Sequence, residues 1–191
     1  AYKMNGNKLI LATQRDQGTN YISIVDLDAG KSVTKKALKI DGDARDLQIV
    51  PQGLYYRTSN EINIVDIETG DKTWKKGFKV KKCTGANASD KVGYVYGNGN
   101  IYKIDFEKGD LAEWVKDVKF DGDEEPNDME VRDNGVLVSS SQNMSLYDFD
   151  GKLKWHSYQK APGRTGAGKL LSGFAGVVAV AAAAGSAAHS A

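Results

Sequence analysis

Short stretches in which apolar and polar residues alternate run through most of the chain, broken by Gly, Asp, Asn and Ser. A period of two marks half-buried β-strand, and the breakers mark turns. Four of these stretches align: NYISIVDLDAGKSVT from Asn20, EINIVDIETGDKTW from Glu61, NIYKIDFEKGDLAEW from Asn100 and MSLYDFDGKLKW from Met144. An aspartate closes each apolar run, and Asp26, Asp66, Asp105 and Asp148 follow one another at intervals of 40, 39 and 43 residues. Gly30, Gly70, Gly109 and Gly151 stand three or four positions later. All three tryptophans, Trp74, Trp114 and Trp155, fall four or five residues beyond the last three of these glycines. A fixed period of this length is the mark of a repeat architecture.

The unit has a simple physical reading. The aspartate accepts backbone amide bonds inside a turn, and the glycine supplies a positive φ. Asp66-x-x-Thr69-Gly70 therefore joins two antiparallel strands as a hairpin. A second short pair precedes each hairpin, as in LQIVPQGLYYRTS before Glu61 and around Gly97-Asn98-Gly99. Each repeat then holds about four short strands. A tryptophan on the outgoing strand is a large apolar plate, and a single sheet cannot bury it; a sheet stacked face to face can. The expected fold is all-β, with four propeller blades of four antiparallel strands over residues 1–160. A Gly/Ala-rich segment, expected to be helical, follows over residues 161–191.

The string from Ile64 to Trp74, IVDIETGDKTW, resembles the blade motif of quinoprotein-like (PQQ-like) β-propellers, Ala-x-Asp-x-x-Thr-Gly-x-x-x-Trp. The resemblance covers residues 8–158, with departures. The first repeat has Ala29 for the threonine and Thr34 for the tryptophan, the third has Lys108 and a tryptophan one residue late, and the fourth shortens the turn. None keeps the leading alanine. The resemblance implies tryptophans docked on adjacent blades. Four units also sit at the small extreme of closed rings, which hold about 4–8 blades. The chain opens on Ala1-Tyr2-Lys3 without an initiator methionine, and the expectation is one arc of a larger propeller.

Composition narrows the function classes. The 191 residues are 40% hydrophobic and 27% charged, as in ordinary globular proteins. A net charge of +1 with 21 lysines against 5 arginines gives neither the field nor the bidentate donors of a nucleic-acid binder. One cysteine, Cys83, makes no internal disulfide and no zinc cluster, and His156 and His189 are the only histidines.

Several local patterns carry candidate chemistry. Gly163–Lys169 approaches a phosphate-binding loop, but Leu170 stands where the metal-binding hydroxyl belongs and no strand–helix context surrounds it; a Gly-rich exit loop is expected. The 22 residues from Leu170 carry no Asp, Glu, Lys or Arg and are long enough to span a membrane, although Ala and Gly are weakly hydrophobic. Packing on protein or lying on a membrane surface is the expectation there. Two acidic loops recur in register: Asp41-Gly42-Asp43, and Asp121-Gly122-Asp123 with Glu124, Glu125 and Asp128. Both are expected to be solvated connectors between blades. Asp121, Asp123, Glu124 and Asp128 are the better candidates for Ca²⁺, which takes six to eight oxygens. Lys75, Lys76, Lys79, Lys81 and Lys82 read as a strand edge protected by charge.

No catalytic residue and no cofactor is assigned from these patterns. The resemblance implies a non-catalytic scaffold or protein-interaction module of a bacterial cell envelope, with protein partners, no nucleic acid, and membrane contact through residues 170–191. The alternative it implies is a fragment of a quinone-dependent dehydrogenase, a branch that uses Ca²⁺ and often an adjacent cysteine pair.

Overall fold

In the computed structural model the structure describes residues 1–14 and 19–160. The Gly-rich loop and the apolar tail lie outside the described residues. The described chain is a succession of antiparallel meanders. The first sheet comprises β1 (Tyr2–Asn5), β2 (Lys8–Gln14), β3 (Asn20–Asp26), β4 (Lys31–Ser32) and β5 (Leu38–Ile40), where β4 and β5 both pair with β3 as two pieces of one outer strand. The second holds β6 (Ala44–Val50), β7 (Gly53–Thr58), β8 (Glu61–Val65) and β9 (Phe78–Lys79). The third holds β10 (Thr84–Asn87), β11 (Val92–Gly97), β12 (Asn100–Asp105) and β13 (Asp110–Val115), and the fourth β14 (Asp128–Arg132), β15 (Gly135–Ser139), β16 (Asn143–Tyr147) and β17 (Leu153–Tyr158).

Each sheet repeats the expected unit. The recurring geometry of the hairpin turn comes from the aspartate: Asp66 Oδ1 accepts the amides of Glu68 and Thr69 at 2.8 and 2.9 Å, and Asp105 Oδ1 those of Glu107 and Lys108 at 3.0 Å. Asp26 accepts from Ala29, and Asp148 from Asp150 and Lys152. The four repeat glycines adopt φ between 62° and 83°, the left-handed region that a side chain disfavours.

Because strands alternate faces, every inner strand serves two neighbours. Ile10, Ile22 and Ile24 of the first sheet pack on Leu54, Tyr56, Val65 and Ile67 of the second. The opposite face of the second sheet, Tyr55, Ile62 and Ile64, packs on Val95, Ile104 and Phe106 of the third. Tyr94, Tyr96 and Ile101 then pack on Val136, Val138 and Tyr147 of the fourth. The core is thus three layers between four consecutive sheets, which explains why β8 is buried along its whole length.

Two expectations need correction. Trp74 does not sit on a strand: the outgoing strand of the second sheet shrinks to a single bridge, Val65 to Lys72, before β9. The Asn63 side chain takes both backbone groups of Trp74 in place of strand pairing, accepting its amide at 3.1 Å and donating to its carbonyl at 2.7 Å. Trp155, expected to be buried like the others, is 44% exposed because no fifth sheet follows it among the described residues.

Candidate interaction surface

A meander puts alternate turns at opposite ends of its sheet, so the molecule has two rims. The first rim carries the Asp-to-Gly hairpins. Here the tryptophans lock one sheet to the next. Trp74 Nε1 donates to the Gly109 carbonyl at 3.0 Å, and Trp114 Nε1 to the Phe149 carbonyl at 3.3 Å. The Trp114 ring also lies 4.7 Å from Tyr94 and 6.2 Å from Tyr147, centroid to centroid. In the first sheet Thr34 takes the tryptophan position and sits directly under Gly70 of the next turn. After two of the turn aspartates the next residue completes the joint from the other side, with Ile67 and Phe106 inserted into the preceding layer, whereas Phe149 at the same position of the fourth sheet is 43% exposed.

The second rim carries the turns between the second and third strands, together with the connectors between sheets. A polar residue opens every third strand: Asn20, Glu61, Asn100 and Asn143. Each one clamps a connector. Asn20 Nδ2 donates to the Gly42 carbonyl at 3.0 Å, and Asn100 Oδ1 accepts the Asp117 amide at 3.0 Å. Asn143 holds Asp121 at both backbone groups, accepting its amide at 2.8 Å and donating to its carbonyl at 3.0 Å. Glu61 accepts the Asp41 amide and the Tyr56 hydroxyl on one carboxylate oxygen. Its other oxygen takes the Lys79 ammonium, which also reaches Asp41. This set of clamps was missed in the sequence, although a polar residue heading each aligned apolar run is its signal.

Both acidic loops are connectors, as expected. The four Ca²⁺ candidates are dispersed by the local bonding. Glu124 spends its carboxylate on Ser140, Gln142 and Asn143, bonds that hold it below the usual carboxylate range, with the Ser140 hydroxyl contributing most. Asp121 Oδ2 faces His156 Nε2 at 3.0 Å, and His156 Nδ1 meets the Ser145 hydroxyl at 2.8 Å. Asp123 lies in the short 3₁₀ turn Asp121–Asp123, and Asp128 opens β14 in solvent. Among the described residues no group of three His, Cys, Asp or Glu side chains is placed to hold a metal. His156 therefore pins a connector to β17.

A cleft of about 550 Å³ opens on the second rim between Lys39, Asp41, Glu61, Lys72, Lys76 and Lys79. Two of its lysines are already paired with Glu61. The lysine run is thus partly ion-paired, and Lys82 likewise meets Glu125 at 2.9 Å. Cys83 is half-buried and its thiol is pushed up to about 11 by burial, so it stays protonated at neutral pH and is a poor nucleophile.

The remaining surface feature is apolar. Among the described residues, the large hydrophobic residues that are exposed are Tyr2, Met4 and Leu27 in the first sheet and its turn and Phe149, Leu153 and Trp155 in the fourth. The two middle sheets contribute none to that set. No described helix is long and apolar enough to cross a membrane.

No family model matches this chain, and no curated protein does. Solved structures do. The complete-loop-6CD structure of Kluyveromyces lactis Hsv2 superposes with a TM-score of 0.56 at 15% identity, over 84% of this chain and 50% of that one. The N-terminal domain of Nup159 gives 0.52 at 12% identity, over 84% of this chain and 47% of that one. The WD40 domain of Neurospora crassa Pan2 gives 0.49 at 14% identity, over 83% and 48%. This chain spans about half the length of each of these structures. At such identities the likeness concerns architecture alone, and the architecture of this chain is that of a β-propeller, four antiparallel sheets in succession.

Proposed function

We propose that this chain is a non-catalytic interaction scaffold whose partners are proteins. The observation that carries the reading is the segregation of exposed apolar side chains to the two outermost sheets. Apolar side chains left in water cost free energy in proportion to their exposed area, and their concentration in one part of a molecule marks a binding surface. The polar groups support the same reading. The buried carboxylate Glu61 and the connector residues Asn143, Glu124 and His156 are engaged in holding turns, which suits a rigid platform better than proton transfer. The cell-envelope location and the quinoprotein-like kinship belong to this proposal through the repeat motif around Asp66, Thr69, Gly70 and Trp74. The dehydrogenase alternative gains nothing from Cys83, a single protonated thiol.

Lysine-directed cross-linking of the protein in its native extract tests the proposal. Lys3 in β1 and Lys154 in β17 stand on the two outermost sheets. Cross-links from these residues to another polypeptide chain, of whatever identity, are expected. Intrachain cross-links from the middle sheets with none leaving Lys3 or Lys154 contradict the reading.

A further inference from the structure

One repeat departs from the other three at the head of its third strand. Asn20, Asn100 and Asn143 clamp their connectors with an uncharged amide, whereas the second sheet places Glu61 there. Glu61 is 2% exposed, and a charge at that depth is costly unless it is paired. Its carboxylate therefore collects cations as well as the connector. Oε2 pairs with Lys79, and Oε1 has the Lys72 ammonium at 3.8 Å. Lys72 also donates to the Lys39 carbonyl at 3.3 Å and stands 5.8 Å from the centre of the Tyr56 ring.

The outgoing chain of the second sheet adds to this charge. Between the Val65–Lys72 bridge and β9 it leaves the sheet and closes a turn, in which the Gly77 amide donates to the Trp74 carbonyl at 2.8 Å. Gly77, at φ 69°, passes so close to Glu61 that a Cβ there would stand 3.0 Å from Oε2. The detour carries Lys76 to the cleft of about 550 Å³, and Lys39 reaches the same cleft from β5 of the first sheet. Four ammonium groups thus line it against two carboxylates, Asp41 and Glu61. Lys72 and Lys79 answer the carboxylates. Lys39 and Lys76 are exposed, and no ion pair joins either to a described residue. The walls belong to the first and second sheets, so the site lies at an internal junction, away from the outer faces of the stack.

We propose that this cleft binds a small soluble ligand through a phosphoryl group. A phosphate ester carries a charge of about −1.5 to −2 at neutral pH, which matches the two unanswered ammonium groups. Its oxygens point in tetrahedral directions and accept from opposite walls, and lysine serves phosphate as a point charge without the planar fit that a carboxylate asks of arginine. The volume falls within the range of about 300–1,000 Å³ of small-ligand sites. Glu61 is the positioning residue: it holds Lys72 and Lys79 in place before the ligand arrives, which lowers the ordering cost of binding.

Isothermal titration of the full 191-residue chain with inorganic pyrophosphate in about 0.15 M salt tests the proposal. One saturable site per chain is expected, weaker at higher salt. The double variant Lys39→Gln, Lys76→Gln is expected to weaken binding about tenfold, the worth of two exposed ion pairs near the upper end of their usual range. A second double variant, Lys36→Gln, Lys75→Gln, removes the same charge from exposed lysines outside the cleft and is expected to bind as the wild type does. Citrate, whose charges sit on planar carboxylates, is expected to bind more weakly than pyrophosphate. No saturable binding by the wild type overturns the proposal, and so do equal losses in the two double variants, which would reduce the effect to overall charge. Citrate bound as tightly as pyrophosphate overturns the phosphoryl assignment. Co-sedimentation with vesicles of a phosphate-monoester lipid that pyrophosphate does not compete away overturns the soluble ligand in favour of a headgroup. None of these results bears on the outer sheets, so the site and the scaffold reading stand or fall separately.

Discussion

Adjacent tyrosines in β7 show how much a single hydroxyl depends on which face it enters. Tyr56 points toward the first sheet and donates to Glu61 Oε1 at 2.8 Å. Tyr55 points toward the third sheet, where its ring packs 4.9 Å from Phe106 and its buried hydroxyl oxygen has no partner in hydrogen-bonding geometry. Burial raises both phenols well above their ordinary range. A buried unpaired hydroxyl costs free energy, and removing a partnered one deletes a charge-assisted hydrogen bond to a buried carboxylate. Tyr55→Phe is therefore expected to leave stability unchanged or raise it by up to about 1 kcal/mol, while Tyr56→Phe lowers it by about 1–3 kcal/mol. Urea denaturation of the two variants checks this, and equal losses from both count against it.

Carboxylates set the acid limit at the same scale. Asp26, held below the ordinary range chiefly by the Lys8 ammonium at 2.6 Å, and Glu124, held there chiefly by Ser140, are both ionised more readily folded than unfolded. A depressed carboxylate contributes stability that is complete above the unfolded value, about 4, and is lost as pH falls through the lower folded value. The melting temperature is expected to hold from neutrality to about pH 5 and to fall below about pH 4. Glu124→Gln flattens that acid slope. A variant with the same slope as the wild type removes Glu124 from the account.

At the scale of the element, the hairpin is the part most legible in the sequence. Asp66, its amide donors and Gly70 lie within five consecutive residues, so the turn chemistry is local and readable without a partner. The connectors were legible for the same reason, since Asp41-Gly42-Asp43 and Asp121-Gly122-Asp123 recur two repeats apart. The clamps were not read, because Asn143 grips Asp121 from 22 positions away and the reason for a polar residue there exists only in the folded sheet. Trp74 misled for a related reason, its hairpin spacing being right while the Asn63 side chain, 11 positions away, takes its backbone groups and leaves the strand unpaired. Substitutions separate local from non-local contributions. Gly30→Ala meets open space and carries only the positive-φ penalty, about 1 kcal/mol. Gly70→Ala adds collision with Thr34 and is expected to cost clearly more. Asn143→Ala strips the amide and the carbonyl of Asp121 of their partner and is expected to cost about 1–3 kcal/mol. Thermal unfolding of the three variants orders them, and Gly30→Ala as the worst of them contradicts the assignment.

Across the whole molecule, four sheets form three apolar layers, and the proposed interaction is assigned to the ends of that stack. The fold was legible because the period of about forty residues survives divergence in the motif itself. Exposure of the last sheet was not, because Trp155 keeps the motif position of Trp74 and Trp114 and differs from them only in having no sheet beyond it among the described residues. Truncating a docked tryptophan deletes an interlayer contact, so Trp114→Ala is expected to destabilise the isolated chain by about 3 kcal/mol. Trp155→Ala in a dilute, unassociated chain is expected to change stability by less than about 1 kcal/mol. The measurement that bears most directly on the account is oxidative footprinting of the three tryptophans, in the dilute chain and in the protein's native assembly. Trp74 and Trp114 are predicted to be protected in both, and Trp155 to be oxidised in the dilute chain and protected in the assembly. Trp155 oxidised equally in both states contradicts the claim that the open sheet face is where this protein binds.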